Sequence, residues 1–175
     1  MSLSLEEKKA IVQEVAGVAA SAHSAVAAEY RGLTVSDLNE LRSRARAAGV
    51  YMRVVKNTLA KRAVENTEFA CMQEGLSGPL LLAFSQSDPG SAARVVRDFA
   101  KGNDKLVTRV VAIGGKLMGP ESLAAVASLP TRDEALATML AVMKAPVEKF
   151  ARTLNAVPVK LARTLVALRE QRESA

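Results

Sequence analysis

The chain changes character at Leu129-Pro130. All ten glycines of the 175-residue sequence lie before this point, where strand-like and helix-like runs alternate. From Thr131 onward there is no glycine and no run that is typical of a strand. Such a segment can form helices, but it does not supply the turns and strands of a sheet. We therefore predict an N-terminal domain of residues 1–130 and an extended C-terminal helical segment of residues 131–175.

The first 130 residues predict an α/β domain, with a small mixed sheet flanked by helices. Strands are predicted over residues 25–30, 50–56, 80–84 and 106–113, and helices over residues 5–20, 35–48, 58–66, 89–100 and 121–127. The predicted helix starts are the capping-box pairs Ser4/Glu7 and Thr34/Asp37 and the N-caps Asn57 and Asp88.

The positive charge of the chain is concentrated in one block. The sequence has 24 Lys and Arg against 18 Asp and Glu, a net charge of +6. Between Arg31 and Arg62 there are eight basic residues and two acidic ones, so this block alone carries +6 and the remainder cancels. Such a block is typical of a surface that binds a polyanion, above all nucleic acid. It also fits a solvated helix face with additional arginines, and charge alone does not separate the two interpretations.

The C-terminal segment contains a repeat of eleven residues. Residues 149–156 read KFARTLNA and residues 160–167 read KLARTLVA, so six of eight positions are identical. A fainter copy, with Met139 and Met143, precedes the first by eleven positions. Eleven residues make about three turns of an α-helix, so each copy returns to nearly the same face about 16 Å further along. The sequence thus predicts an apolar stripe of equally spaced patches.

A repeated apolar patch indicates a repeated partner, because a globular core rarely uses the same side chains at a regular spacing. A long exposed stripe also needs a cover to avoid aggregation. Two alternatives stay open: the helices fold back onto the first domain, or the stripe lies at a membrane interface, although it lacks Trp and its polar face mixes Glu with Lys and Arg. Pro146 and Pro158 are expected to bend the helix without ending it.

The sequence carries no pattern typical of an enzyme, a metal site or a cofactor site. One cysteine, Cys71, and one histidine, His23, cannot form an internal disulfide or a Cys/His zinc cluster. Gly114-Gly115-Lys116 is followed by Leu117 where a phosphate-binding loop needs Ser or Thr, so we interpret it as a turn. No run reaches the roughly 18 apolar residues of a membrane span, and the charged residues near the N-terminus do not fit a signal peptide. We predict no enzymatic activity, no cofactor and no membrane association.

The block from Tyr30 to Ala63 contains motifs that are more specific than its charge. The motifs within the block are Tyr30-Arg31-Gly32-Leu33-Thr34 and Val54-Val55-Lys56-Asn57-Thr58-Leu59-Ala60-Lys61-Arg62-Ala63. Beyond the block they are followed, in order, by Gly78-Pro79, Asp88-Pro89-Gly90 and Leu129-Pro130-Thr131. This ordered set closely resembles the tenth protein of the bacterial large ribosomal subunit, the family at the base of the ribosomal stalk. The resemblance covers essentially the whole chain.

The resemblance implies that the N-terminal domain binds large-subunit rRNA beside the eleventh large-subunit ribosomal protein, where translational GTPases dock. The basic side chains and the free backbone donors at a helix start suit contacts with phosphate and sugar. The expected rRNA-binding residues are Tyr30, Arg31, Gly32, Arg42, Arg46, Arg53, Lys56, Asn57, Lys61 and Arg62. The expected location is the cytoplasm, bound to the ribosome. Autoregulation through leader mRNA, found in some members, is implied as well.

The same resemblance implies that the C-terminal helix carries several dimers of the acidic ribosomal stalk protein, which recruit those GTPases. Short amphipathic segments of the partner are expected to pack against the stripe. The expected docking residues are Met139, Met143, Val147, Phe150, Leu154, Val157, Leu161, Leu165 and Leu168. The tail holds one more copy of the repeat than shorter members of the family, which predicts three dimers rather than two.

Two other classes of function stay open at this point. One is a small α/β enzyme or nucleotide-binding protein whose tail only oligomerises it, although the missing phosphate loop weighs against this class. The other is a free RNA-binding regulatory α/β protein that never joins the ribosome. Nucleotide binding would identify the first, and failure to co-sediment with large subunits would identify the second.

Overall fold

A computed structural model of the chain describes residues 4–103 and 105–173. The chain forms two compact units, Met1–Thr131 and Arg132–Ala175. In the described residues, the first unit contains a five-stranded sheet with five α-helices, and the second is one long helix.

The elements have the following bounds. The strands are β1 (Ser24–Glu29), β2 (Val50–Val54), β3 (Leu80–Ser85), β4 (Val107–Ile113) and β5 (Lys116–Met118). The α-helices are α1 (Leu5–Ser21), α2 (Val35–Ala47), α3 (Asn57–Val64), α4 (Ser91–Ala100), α5 (Leu123–Ala127) and α6 (Arg132–Glu173). Two 3-10 segments cover Glu68–Gly75 and Pro120–Ser122. The predicted strands and helices all occur, with ends that differ by two residues or fewer, whereas β5 and the first 3-10 segment were not predicted.

The strand order is β2-β3-β1-β4-β5, and each of these pairings is antiparallel. The α/β class is confirmed, but the prediction of a mixed sheet is wrong. Strands β1 and β2 run in the same direction across the helix α2 that joins them, yet β3 inserts between them. Strands β3 and β4 are separated by β1 in the same way. The described strands therefore meet only antiparallel neighbours.

Helices cover both faces of the sheet, and the alternation of side chains along the strands divides the core in two. On β3, Leu82 and Phe84 face α1, α3 and the first 3-10 segment, whereas Leu81 and Ala83 face α2, α4 and α5. The Phe84 ring meets the edge of Phe69 at a centroid distance of 6.0 Å. Because β1 and β3 are central and covered on both faces, their sequences are nearly continuous apolar or small-residue runs.

The first two helices begin at the predicted capping boxes. The Ser4 hydroxyl accepts from the Glu7 backbone N–H at 3.2 Å, and the Glu7 carboxylate accepts from the Ser4 N–H at 2.7 Å. Thr34 and Asp37 form the same reciprocal pair at 3.2 and 3.0 Å. Hydrogen bonds from Thr34 hold the pKa of the Asp37 carboxyl below its ordinary value. Both predicted boxes are confirmed.

The two other predicted N-caps are wrong. The N-cap of α3 is Lys56, and Asn57 is its first helical residue, with a side chain that bonds outside the helix. The N-cap of α4 is Gly90, without a side-chain cap, and the Asp88 backbone carbonyl accepts from the Ser85 hydroxyl. A hydroxyl at the end of the buried strand β3 thus fixes the loop before α4, in place of a cap by the Asp88 side chain.

Gly114 and Gly115 form the turn of the hairpin between β4 and β5, as the prediction of a turn requires. Both have positive φ, 53° and 76°, which suits a tight two-residue hairpin and favours glycine. Strand β5 is only three residues long and lies at the sheet edge, which explains why its sequence gives little strand pattern.

The second unit is a helix that continues through both prolines. Pro146 and Pro158 lie inside α6, which runs without interruption from Arg132 to Glu173. Each proline lacks an N–H and so removes one backbone hydrogen bond without ending the helix. The predicted continuation past both prolines is confirmed.

Candidate functional site

One end of the sheet gathers part of the predicted basic site. Strands β1 and β2 end at this end of the sheet and β3 begins there, since Glu29 pairs with Leu80 and Val54 with Leu81. The segments that follow β1 and β2 therefore approach the segment that precedes β3. Together they line a cleft of about 360 Å³. Its walls include Tyr30, Lys56, Asn57, Gly78 and Pro79.

Asn57 ties two walls of this cleft together. Its side-chain amide donates to the Gly78 carbonyl at 2.9 Å. Gly78 has φ of 89°, a conformation that favours glycine. Lys56 is exposed beside this contact, and its carbonyl accepts the first hydrogen bonds of α3 from Leu59 and Ala60. The cleft thus combines a free ammonium group with the positive end of a helix, a combination that favours phosphate.

Arg31 and Gly32 lie in the turn that leaves β1, directly after Tyr30. Gly32 has φ of 90°, and a Cβ placed on it would lie 3.6 Å from the Lys105 side chain. Lys105 is exposed, lies far from Gly32 in sequence and was not among the predicted rRNA-binding residues. Two cations therefore lie at this turn, Arg31 within it and Lys105 beside it, rather than the single one predicted.

The arginines of α2 differ in their surroundings. Arg44, which was not a predicted contact, pairs with Glu40 and lies over the Phe99 ring at 5.8 Å. Arg42 donates to the Asn39 side chain at 3.4 Å, and Arg46 is exposed. Helix α2 packs on the sheet face opposite to α1 and α3. Arg42 and Arg46 are thus available on a different face from the other candidates.

Arg53 is held within the domain. Its guanidinium contacts the Glu14 carboxylate and also donates to the Tyr51 hydroxyl at 3.3 Å. Tyr51 in turn donates to Glu14 at 2.7 Å. These hydrogen bonds, first from Tyr51 and then from Arg53, lower the pKa of the Glu14 carboxyl. Arg53 therefore joins β2 to α1 and has a carboxylate partner already.

Lys61 and Arg62 are exposed on α3. Arg62 lines a groove of about 350 Å³ between α1 and α3, together with Lys8 and Lys9. Lys8 and Lys9 are among the charged N-terminal residues that do not fit a signal peptide, and they were not among the predicted rRNA-binding residues. The available signal was that Lys8 and Lys9 follow Leu5 by three and four residues, because side chains at this spacing lie on the same face of a helix. Leu5 lines the same groove.

The candidates therefore do not form one patch. The cleft at the end of the sheet is shared by Tyr30, Lys56 and Asn57, and the turn that directly follows Tyr30 contains Arg31 and Gly32. Arg42 and Arg46 lie in the α2 layer, and Arg53, Lys61 and Arg62 on the side of α1 and α3. Basic side chains thus lie on both helical layers and at the end of the sheet between these layers. This distribution fits a folded polyanion that contacts several sides of the domain better than it fits a single linear strand.

Helix α6 presents the predicted stripe to solvent. The nine predicted docking residues are 53% to 75% exposed, and no described residue of α6 is buried. At about 100° per residue, all nine lie within an arc of about 80°. Leu136, 45% exposed, falls in the same arc and was missed, because it precedes the recognisable copies of the repeat. The helix thus carries an unpartnered apolar stripe over most of its length.

The two clear copies of the repeat also share local structure. The Thr153 hydroxyl donates to the Phe150 carbonyl at 2.7 Å, and the Thr164 hydroxyl donates to the Leu161 carbonyl at 2.8 Å. These bonds are related by the shift of eleven residues. Threonine bonds of this kind bend a helix slightly, so the two copies are equivalent in backbone environment as well as in sequence.

Two other kinds of site are absent from residues 4–103 and 105–173. Over these ranges no group of three or more His, Cys, Asp or Glu side chains is placed to hold a metal ion. The helices of the same ranges include none that is long and apolar enough to cross a bilayer.

Both units match known proteins. Residues 4–101 match the family model of ribosomal protein L10, and residues 129–160 match that of the ribosomal protein uL10 C-terminal region. The chain is 66% identical over 174 residues to the large ribosomal subunit protein uL10 of Thioalkalivibrio sulfidiphilus, with 99% of each chain covered. It is 65% identical over 175 residues to that of Halorhodospira halophila, with all of each chain covered.

A third relative, the large ribosomal subunit protein uL10 of Methylococcus capsulatus, is 62% identical over 175 residues, again with all of each chain covered. The family match of the C-terminal region ends at residue 160, so the copy of the repeat at residues 160–167 lies almost wholly beyond it. The relatives nevertheless align with the chain from end to end, and the resemblance inferred from the motifs is confirmed. The chain therefore belongs to the uL10 family of large ribosomal subunit proteins, which is structural and non-enzymatic.

Proposed function

We propose that this protein forms the base of the ribosomal stalk in cytoplasmic ribosomes. Its first unit binds large-subunit rRNA beside the eleventh large-subunit protein, and α6 carries three dimers of the acidic stalk protein, which recruit GTP-bound translation factors. Binding of its own leader mRNA by the same basic surface would provide autoregulation. The observation that carries the proposal is the exposed apolar stripe of α6 with its spacing of eleven residues.

The stripe supports repeated docking because of its length and its exposure. A helix of 42 residues is about 63 Å long, so patches about 16 Å apart leave room for separate partners. Each patch has two central side chains, for example Phe150 and Leu154, that are 66% and 64% exposed. Short amphipathic helices that bury such side chains supply the hydrophobic contact area the isolated helix lacks.

The proposed rRNA surface is centred on the cleft at the end of the sheet where β1 and β2 end. Lys56 and Asn57 lie at the start of α3, where phosphate binding is favoured, and Arg31 and Lys105 extend the surface along the adjacent turn. The flanking helices add four more cations, Arg42 and Arg46 on α2 and Lys61 and Arg62 on α3. Arg53 contributes less in this proposal, because Glu14 already neutralises it.

The docking proposal is tested by native mass spectrometry of the chain co-expressed with its acidic stalk protein. We expect three dimers on the full chain, and two after Leu161→Ser with Leu165→Ser or after deletion of the residues that follow Ala156. The matched control is Val159→Ser with Val166→Ser, since these side chains are 43% and 55% exposed but lie on the opposite side of α6. An unchanged number of dimers in the stripe variants would refute the proposal.

The ribosomal part is tested by co-sedimentation with large subunits at physiological salt. The deletion after Ala156 should still co-sediment, because the proposed rRNA surface lies in the first unit. A full chain that binds RNA but remains in the supernatant would instead indicate a free regulatory protein.

A further inference from the structure

The polar residues of the repeat are as regular as its apolar ones. Lys149 and Lys160 occupy the same position of the two clear copies, and so do Arg152 and Arg163. An exposed polar face needs only solubility, which Glu, Gln or Ser would also provide. Repetition of the same cations at the same phase indicates that the contact with the partner extends beyond the apolar stripe.

The charge around this part of α6 is of one sign. From residue 149 to residue 169 there are five basic residues and no acidic one, and the nearest acidic residues, Glu148 and Glu170, lie just outside this range. Lys149, Lys160 and Arg163 have no carboxylate three or four positions away, the spacing at which helical residues pair. By contrast, Lys144 and Arg152 both contact Glu148, at 3.0 and 3.4 Å.

The two flanks of the stripe differ. At about 100° per residue, Lys149 and Lys160 lie about 60° to 80° beyond one edge of the stripe. At a comparable angle beyond the other edge are Ala151 and Ala162, which allow close approach of a second helix. Within the two clear copies, residues 149–156 and 160–167, the stripe is therefore bordered by a lysine on one side and by a small side chain on the other.

We propose that Lys149 and Lys160 are specificity-determining residues, each binding a carboxylate of the acidic dimer that docks on its copy of the repeat. The partner then lies across the helix in one orientation, with its acidic surface over the lysine flank and its closely packed helix over Ala151 and Ala162. This inference rests on the proposed function, because it assigns further contacts at the same docking surface.

The three docking sites are then not equivalent. The faint first copy, with Met139 and Met143, has Thr138 where the other two have lysine and Ala141 where they have arginine. Its binding lacks the flanking cation and depends on apolar contact alone. Dimers on the last two copies should therefore weaken as salt is raised, while the dimer on the first copy should not.

The test measures dimer affinity for the full chain by titration calorimetry between 50 and 500 mM salt. Lysine-to-glutamine changes preserve helix propensity, so we use Lys149→Gln with Lys160→Gln. We expect each replaced lysine to weaken its site about two- to fivefold at low salt, as for an exposed ion pair, with the difference lost at high salt. Thr138→Lys should strengthen the first site at low salt by a similar factor.

The control is Lys144→Gln, which removes a lysine of the same helix from the opposite flank. An equal loss with this variant would show that overall charge matters rather than the lysine flank, and would overturn the inference. Wild-type affinity and salt dependence of the Lys149/Lys160 variant would overturn it as well. If Leu161→Ser with Leu165→Ser also leaves the number of dimers unchanged, then the docking function itself fails, so the two failures are distinguishable.

Discussion

Replacement of two unpaired cations of the proposed rRNA surface should weaken RNA binding in a way that salt reveals. Lys56→Ala with Arg62→Ala removes two exposed cations. One lies beside the cleft at the end of the sheet, and the other lies beside the groove between α1 and α3. Over the part of the chain that the structure describes, neither side chain contacts a carboxylate. Both are therefore free to neutralise phosphates.

The magnitude follows from counterion release. Each phosphate contact contributes about 0.7 to 0.9 to the slope of log K against log salt concentration, so two contacts contribute about 1.6. On the same linear relation the double variant should bind about 40-fold more weakly at 0.1 M salt and about threefold more weakly at 0.5 M. The measurement is filter binding or anisotropy with the cognate rRNA fragment over this range of salt.

Arg44→Ala is the matched control for this double variant. Arg44 belongs to the same basic block, but it pairs with Glu40 and lies over the Phe99 ring, so its removal should leave the slope unchanged. Thermal unfolding of each variant checks that the domain is folded. An unchanged affinity and slope for the double variant, in a folded protein, would refute the assignment of Lys56 and Arg62.

Three further predictions concern the stability of the first unit. Gly75→Ala should lower its free energy of unfolding by about 1 to 3 kcal/mol in denaturant titration, because the new methyl group overlaps the buried Val110 side chain, and unchanged stability would contradict this packing. Thr34→Ala should cost about 1 kcal/mol by the same assay through loss of the capping box, whereas Thr34→Ser should cost much less. Because the folded pKa of Asp37 lies below its ordinary value of 3.8, this carboxylate contributes stability above that value and loses it as the pH falls through the lower folded pKa. The melting temperature of Thr34→Ala should consequently fall less steeply below pH 4 than that of the wild type, and parallel curves would disprove the link.

Local signals explain which parts of the fold were predictable. The capping boxes at Ser4 and Thr34 use partners three residues apart, and both formed as expected. Asn57 failed as a cap because its amide found a partner 21 residues away, at Gly78. Asp88 failed because the Ser85 hydroxyl binds its carbonyl and the helix begins later. A local rule holds until a contact from elsewhere in the fold competes for the same group.

The candidate RNA site shows the same division. Charge identified the block from Arg31 to Arg62, but it could not rank the members of the block. Arg53 faces Glu14 across 39 positions of sequence, and Arg62 meets Lys8 and Lys9 from the first helix. Pairing and clustering of this kind depend on which elements pack together, and they cannot be predicted from the spacing of residues along the chain.

The amino-acid sequence by itself determined the helical tail, its stripe and its repeat, because in a single helix a period of eleven residues places side chains on one face without help from any other element. Tertiary structure alone decided the strand order, the antiparallel pairing of every described neighbour, and the choice of cations that remain free for a ligand. Those features arise where segments distant in sequence pack against each other, and the energy that selects them belongs to the contact rather than to either segment.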